Sequence, residues 1–200
     1  MSAVQPLPTL LAEARDALSG VLMLVLGRAA SGQWFETSQR GLAGSFIALI
    51  LAHVLLAAFA GLGDAGRGQH SPSLQLFIAG VLVALRYGAM RLLLPRFGAL
   101  GRFRAFMVAS NWTQAIAISV LLIATFVCAF AGALLLGPQA GERIVTLVLL
   151  VWAAVAITAL IAEINIARLM VDLDVAGIIQ AFAAQGFALI GGIIFLALLL

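Results

Sequence analysis

The chain contains no lysine: all eleven basic residues are arginine, and they lie scattered between apolar runs. A nucleic-acid surface needs a dense basic face. Nucleic acid is therefore not an expected partner, despite a net charge of +3 and a pI near 10.4. Cysteine occurs once, as Cys128 inside an apolar run, so no intramolecular disulfide can form. Neither a CxxC nor an HExxH pattern occurs, and only two histidines are present, which leaves no metal or cofactor site to propose. Charge is scarce altogether, at 10% of residues against about 25% in a typical soluble domain.

What fills the chain instead is apolar surface: 64% of residues are hydrophobic and the mean hydropathy is +1.18. A soluble fold of this length has no interior large enough to hide it, whereas a bilayer serves as the apolar solvent. Five runs approach the roughly 20 helical residues that cross a hydrocarbon core of about 30 Å. They cover about 42–62, 74–94, 113–136, 144–162 and 178–200. Each is apolar on every side rather than alternating, which selects helices over barrel strands. The expected fold class is all-α, a polytopic bundle of five transmembrane helices (41–200) preceded by an interfacial amphipathic segment (1–40). No soluble domain is visible; the second half of the 95–112 connector is apolar enough to continue the third span backwards as helix.

Eight arginines fall on the N-terminal side of the spans and two on the other, with Arg86 set aside as part of the second span. The positive-inside rule then places the N-terminus in the cytoplasm and the C-terminus in the periplasm of a bacterial inner membrane. Near the start, Leu10, Leu11, Ala14, Leu18, Val21, Leu22 and Val25 share one helical face, and Glu13 and Asp16 lie on the other. That pattern predicts a helix lying in the cytoplasmic interface. A cleaved signal peptide fits less well, because no positive stretch precedes the apolar residues and two acids interrupt them. Trp34, Phe35 and Trp112 are expected as headgroup-level aromatic anchors.

Several motifs have plain readings. "GLGDAG" (61–66) matches G-x-G-x-x-G but follows a membrane helix and precedes "RGQHSPS", so it reads as an extracytoplasmic turn. "NWT" (111–113) matches a glycosylation acceptor but sits at a cytoplasmic span boundary. His53, near the middle of the first span, reads as a neutral histidine bonded to a neighbouring helix, with a proton relay or haem ligand as the alternatives. Small residues such as Gly132, Gly186 and Gly192 permit close helix contact without marking a particular interface.

The polar residues of the cytoplasmic third carry the remaining signal. Arg86 lies eight residues before the end of its span, about 12 Å deep at 1.5 Å per residue, and such a depth calls for a partner. Glu163 is the nearest acid by topology, with Arg91 competing for it. If the fourth helix continues past Ala162, Thr158, Asn165, Arg168 and Asp172 share a face, and Arg168 pairs with Asp172 four residues on. That is the pattern of a helix leaving the bilayer obliquely. In a sharper version, Arg91, Asn111, Gln114, Glu163, Asn165, Arg168 and Asp172 line one polar vestibule.

"FETSQRGLAGSF" (35–46), "MVASNWTQAI" (107–116) and "ARLMVDLDVAGIIQAF" (167–182) resemble the corresponding stretches of a group of small uncharacterised proteobacterial membrane proteins, itself distantly similar to the Yip1 superfamily. Glu36 stands where the group usually has aspartate, and Leu42 where an aromatic is common. The resemblance implies a cytoplasmic N-terminus and five spans and no reaction; the residues by which Yip1 proteins recruit trafficking GTPases are not apparent. The expected role is non-enzymatic, a scaffold, assembly or accessory subunit whose partners are lipid and other membrane subunits or a second copy of itself. A small transporter or channel-like protein using the polar cytoplasmic third is the alternative.

Overall fold

The computed structural model describes residues 9–63, 71–136 and 141–199. Among the described residues six α-helices follow one another: α1 (Leu10–Val25), α2 (Gln39–Gly63), α3 (Pro72–Leu93), α4 (Phe103–Leu136), α5 (Gly141–Asn165) and α6 (Val175–Leu199). Short 3₁₀ turns at Ala29–Trp34, Leu94–Phe97 and Leu100–Arg102 join some of them, and a π turn at Ile166–Met170 follows α5. No strand occurs among the described residues. The helices from α2 to α6 are each long and apolar enough to cross a membrane, so the fold is an all-helical, multi-pass membrane bundle. The "GLGDAG" turn falls on 64–66 for its second half, outside the described residues, as do Arg67 and His70.

Helix starts follow local chemistry. Ser71 accepts from the Leu74 N–H at 3.3 Å and Pro72 opens α3 at a position that needs no donor. Ser38 plays the same part for α2, accepting from the Gly41 N–H at 3.3 Å. The Glu36 carbonyl folds directly over Gly41, where any Cβ would overlap it. Gly41→Ala is therefore expected to cost about 1–3 kcal/mol, seen as earlier unfolding in an SDS titration. Gly101→Ala, with nothing within 4 Å of its Cβ position, should match the wild type in the same assay.

Helix α4 begins at Phe103, ten residues before the expected span. Its 34 residues reach about 51 Å, well beyond a hydrocarbon core of about 30 Å. The added turns form the floor of the molecule: Phe106, Val108, Ala109, Ser110, Asn111 and Trp112 are all buried there. Trp112, at 5% exposure, is a core residue and not the interfacial anchor its position suggests. Phe35 is corrected in the same way. It is 6% exposed and packs on α1, where a Cβ at Gly20 would lie 2.7 Å from its ring.

Helix α1 packs against α4 and α5, with Ala17, Val21 and Leu24 buried. Leu11, Leu18 and Leu22 stay exposed, which keeps a greasy stripe on its outer side. Glu13 does not share the solvent face with Asp16 as the helical pattern predicts. It is 9% exposed, turned inward over Gly44, with Arg40 Nε 3.6 Å from its Oε1.

Two small residues do mark interfaces. Gly132 receives Ile144 where α4 meets α5, and Gly192 receives Leu85 where α6 meets α3. Around Gly186, by contrast, no atom lies within 4 Å of a Cβ position.

Candidate functional site: a charged clamp beneath a membrane cleft

Arg86 of α3 is the centre of the polar structure. Its Nη2 lies 2.6 Å from Glu163 Oε2 of α5 and donates to Ser110 Oγ of α4 at 3.0 Å; its Nε donates to Gln185 Oε1 of α6 at 2.6 Å. Ser110 Oγ in turn sits 2.9–3.0 Å from both Glu163 oxygens. Gln185 Nε2 donates to the Ala181 carbonyl at 3.2 Å. Phe106 offers its ring face 5.9 Å from the guanidinium carbon. Four helices thus meet on one arginine whose side chain is 13% exposed. Burying a charge is tolerable when it is both paired and hydrogen-bonded, and here both conditions hold.

From the residues next in sequence to Arg86 and Ser110, a second network joins α2, α3 and α4. The Tyr87 hydroxyl donates to Asn111 Oδ1, Asn111 Nδ2 donates to Ser45 Oγ at 3.0 Å, and Ser45 Oγ donates to the Leu42 carbonyl at 2.8 Å. Phe46 and Phe106 flank Tyr87 edge-on. Asn111 is 0% exposed, which makes it a structural tie and not a lining group.

Above the Arg86 clamp lies a cleft of about 730 Å³, walled by α2 to α6. Its lining is mostly apolar and mostly half-buried, so it is open rather than sealed. Arg86, Glu163 and Gln185 form its polar floor, with His53, Gln75 and Gln114 on the walls. His53 Nδ1 is 2.9 Å from the Leu49 carbonyl, so its partner is its own helix and not the neighbouring one expected.

The single vestibule expected from the sequence is not assembled. Of its seven residues, Glu163 and Gln114 line the cleft. Arg91 does not compete for Glu163; it stacks over the Phe103 ring at 5.7 Å. Asn165 donates to the Leu24 carbonyl at 2.7 Å, which at the end of α1 also accepts from the Gly27 N–H at 2.9 Å. The α5 helix does not continue to Asp172. Val171 N–H bonds the Ile166 carbonyl at 3.1 Å across the π turn, and Asp172 adopts a left-handed φ of +63°. That break rotates Asp172 away from Arg168 and onto Arg102, whose Nη1 is 3.0 Å from Asp172 Oδ2 and 2.9 Å from the Val171 carbonyl. Arg168 is exposed, with Nη2 3.3 Å from the Cβ position of Gly27.

Tyr87, Ser110 and Gln185 escaped the sequence reading. Their signal was present: Ser110 adjoins Asn111, Tyr87 adjoins Arg86, and Gln185 is one of two amides in an otherwise apolar last helix. Among the described residues no group of three or more His, Cys, Asp or Glu is placed to hold a metal ion. Comparison with protein-family models, curated proteins and solved structures gave no match.

Proposed function

We infer that this chain is a non-enzymatic accessory or scaffold subunit of a bacterial inner-membrane assembly, with its arginine-rich end in the cytoplasm and its C-terminus in the periplasm, and that it seats a partner's transmembrane segment in the cleft between α3/α6 and the other spans. The observation that carries this reading is the cleft itself: about 730 Å³, open rather than sealed, with small residues Ala79, Ala117, Ala159 and Gly186 in its walls. Transmembrane helices associate where small side chains let backbones approach and polar side chains cross-bond. Gln75 and Gln114 supply that bonding capacity here, and Thr113 Oγ1 has no hydrogen-bond partner among the described residues. The orientation rests on the distribution of arginines.

Gly186→Leu tests it, because a Cβ at this position meets no neighbouring side chain and the position lines the cleft. Gently solubilised wild type should co-purify with a stoichiometric membrane protein. The variant should lose that partner at least tenfold while unfolding at the wild-type SDS fraction. Equal recovery of the partner with both proteins would refute the assignment.

A second reading, a small carrier of an amphipathic molecule, is favoured by the ionisable groups His53, Arg86 and Glu163 at the cleft and by a volume within the range of ligand pockets. Purification of the chain without protein partner but with a bound small molecule, displaced in Gly186→Leu, would establish that reading instead.

A further inference from the structure

We propose that a second pocket, where the entry of α2, the end of α3 and the start of α4 meet, binds the phosphate of an anionic amphiphile, the headgroup of an acidic phospholipid. It measures about 540 Å³ and is separate from the cleft, sharing no lining residue with it. Arg91 and Arg104 both line it, and no acidic residue does.

The charge of these two arginines is not spent elsewhere. Glu13 pairs with Arg40, Glu163 with Arg86 and Asp172 with Arg102, and Glu36, next to Thr37 in sequence, accepts from the Ser38 N–H at 3.2 Å. Among the described residues neither Arg91 nor Arg104 has an acidic partner. Phe103 holds the Arg91 guanidinium at 5.7 Å, which orients the group without neutralising it. Thr37 and Gln39 add a hydroxyl and an amide to the same lining. Two arginines with flanking hydrogen-bond donors suit the oxygens of a phosphodiester.

The rest of the lining points to a lipid as the source of that phosphate. Leu100 and Phe103 form an apolar rim, and Leu92, next to Arg91 in sequence, is 79% exposed. A ligand with a phosphate and acyl chains satisfies both parts, as do basic pockets between transmembrane helices on a cytoplasmic face. Free phosphate satisfies only the arginines.

The test uses the full chain in a neutral detergent, titrated calorimetrically with short-chain phosphatidylglycerol, short-chain phosphatidylcholine and inorganic phosphate. Phosphatidylglycerol should bind at least tenfold more tightly than phosphatidylcholine, and less tightly as salt rises. Arg91→Gln and Arg104→Gln should each weaken it roughly fivefold, and together about 25-fold. Arg96→Gln, an exposed arginine outside the pocket, should leave binding unchanged. All variants should unfold at the wild-type SDS fraction. Inorganic phosphate binding as tightly as phosphatidylglycerol would keep phosphate recognition and overturn the lipid source. A double variant that binds like the wild type, or an Arg96→Gln loss equal to that of Arg91→Gln, would overturn the site, since diffuse charge would then suffice.

Discussion

Glu163→Ala is expected to destabilise the bundle by about 3–5 kcal/mol, the cost of leaving a buried arginine without its counter-ion. Arg86 would keep Ser110 and Gln185 as neutral partners, and neither can balance a full charge in a medium with little water. The companion variant separates the charge from the packing. Arg86→Met with Glu163→Leu removes both ions and replaces them with apolar groups of comparable bulk. It should recover part of the loss: a buried ion pair stabilises little relative to well-packed hydrophobic residues, but Ser110 and the Gln185 carbonyl oxygen are left without these partners. Arg168→Ala, at an exposed position, should stay within about 0.5 kcal/mol of wild type. SDS titration in mixed micelles reads all three. Unfolding of Glu163→Ala at the wild-type midpoint would show that Arg86 reaches water and that the clamp is not buried in solution.

Asn111→Leu should cost about 2–4 kcal/mol, because it strips two fully buried neighbours at once. Tyr87 loses its acceptor and Ser45 loses the amide that donates to it. Tyr87→Phe removes one donor and leaves only Asn111 Oδ1 without it, so it should cost less, about 0.6 and at most about 1.7 kcal/mol, the mean and upper value for hydrogen bonds between membrane helices. The double variant should not be additive, since both changes delete the same bond. Strict additivity in that cycle would mean the Tyr87–Asn111 bond does not form.

How much of this could be read from residues alone differs sharply by feature. The spans could, because the preference for lipid accumulates over some twenty side chains and tolerates errors of a residue or two at each end. The pairing of Arg86 with Glu163 was legible too, because a deep charge has few acids within its reach. The fate of the stretch after Ala162 was not. Its spacing suits a continuing helix, and only a π turn with a left-handed Asp172 diverts the side chain to Arg102. No local pattern announces such a break, since it is set by Asn165 holding the end of α1 and by Val171 bonding to Arg102. Trp112 and Phe35 misled for a related reason. An aromatic at a span boundary looks the same whether it faces headgroups or a neighbouring helix, and the choice here belongs to the ten extra residues of α4 and to Gly20.

Composition alone determined that the chain is a set of lipid-compatible helices, since that depends on how much apolar surface each segment carries and not on its neighbours. Tertiary structure decided which helices touch and which polar groups meet. The apolar residues of α2 and α5 are spread with little preference for one face, so their pattern alone prescribes no rotation in lipid. The contacts that do prescribe it join residues far apart in the chain, Arg86 with Gln185 and Asn165 with Leu24, and these exist only once the helices have packed.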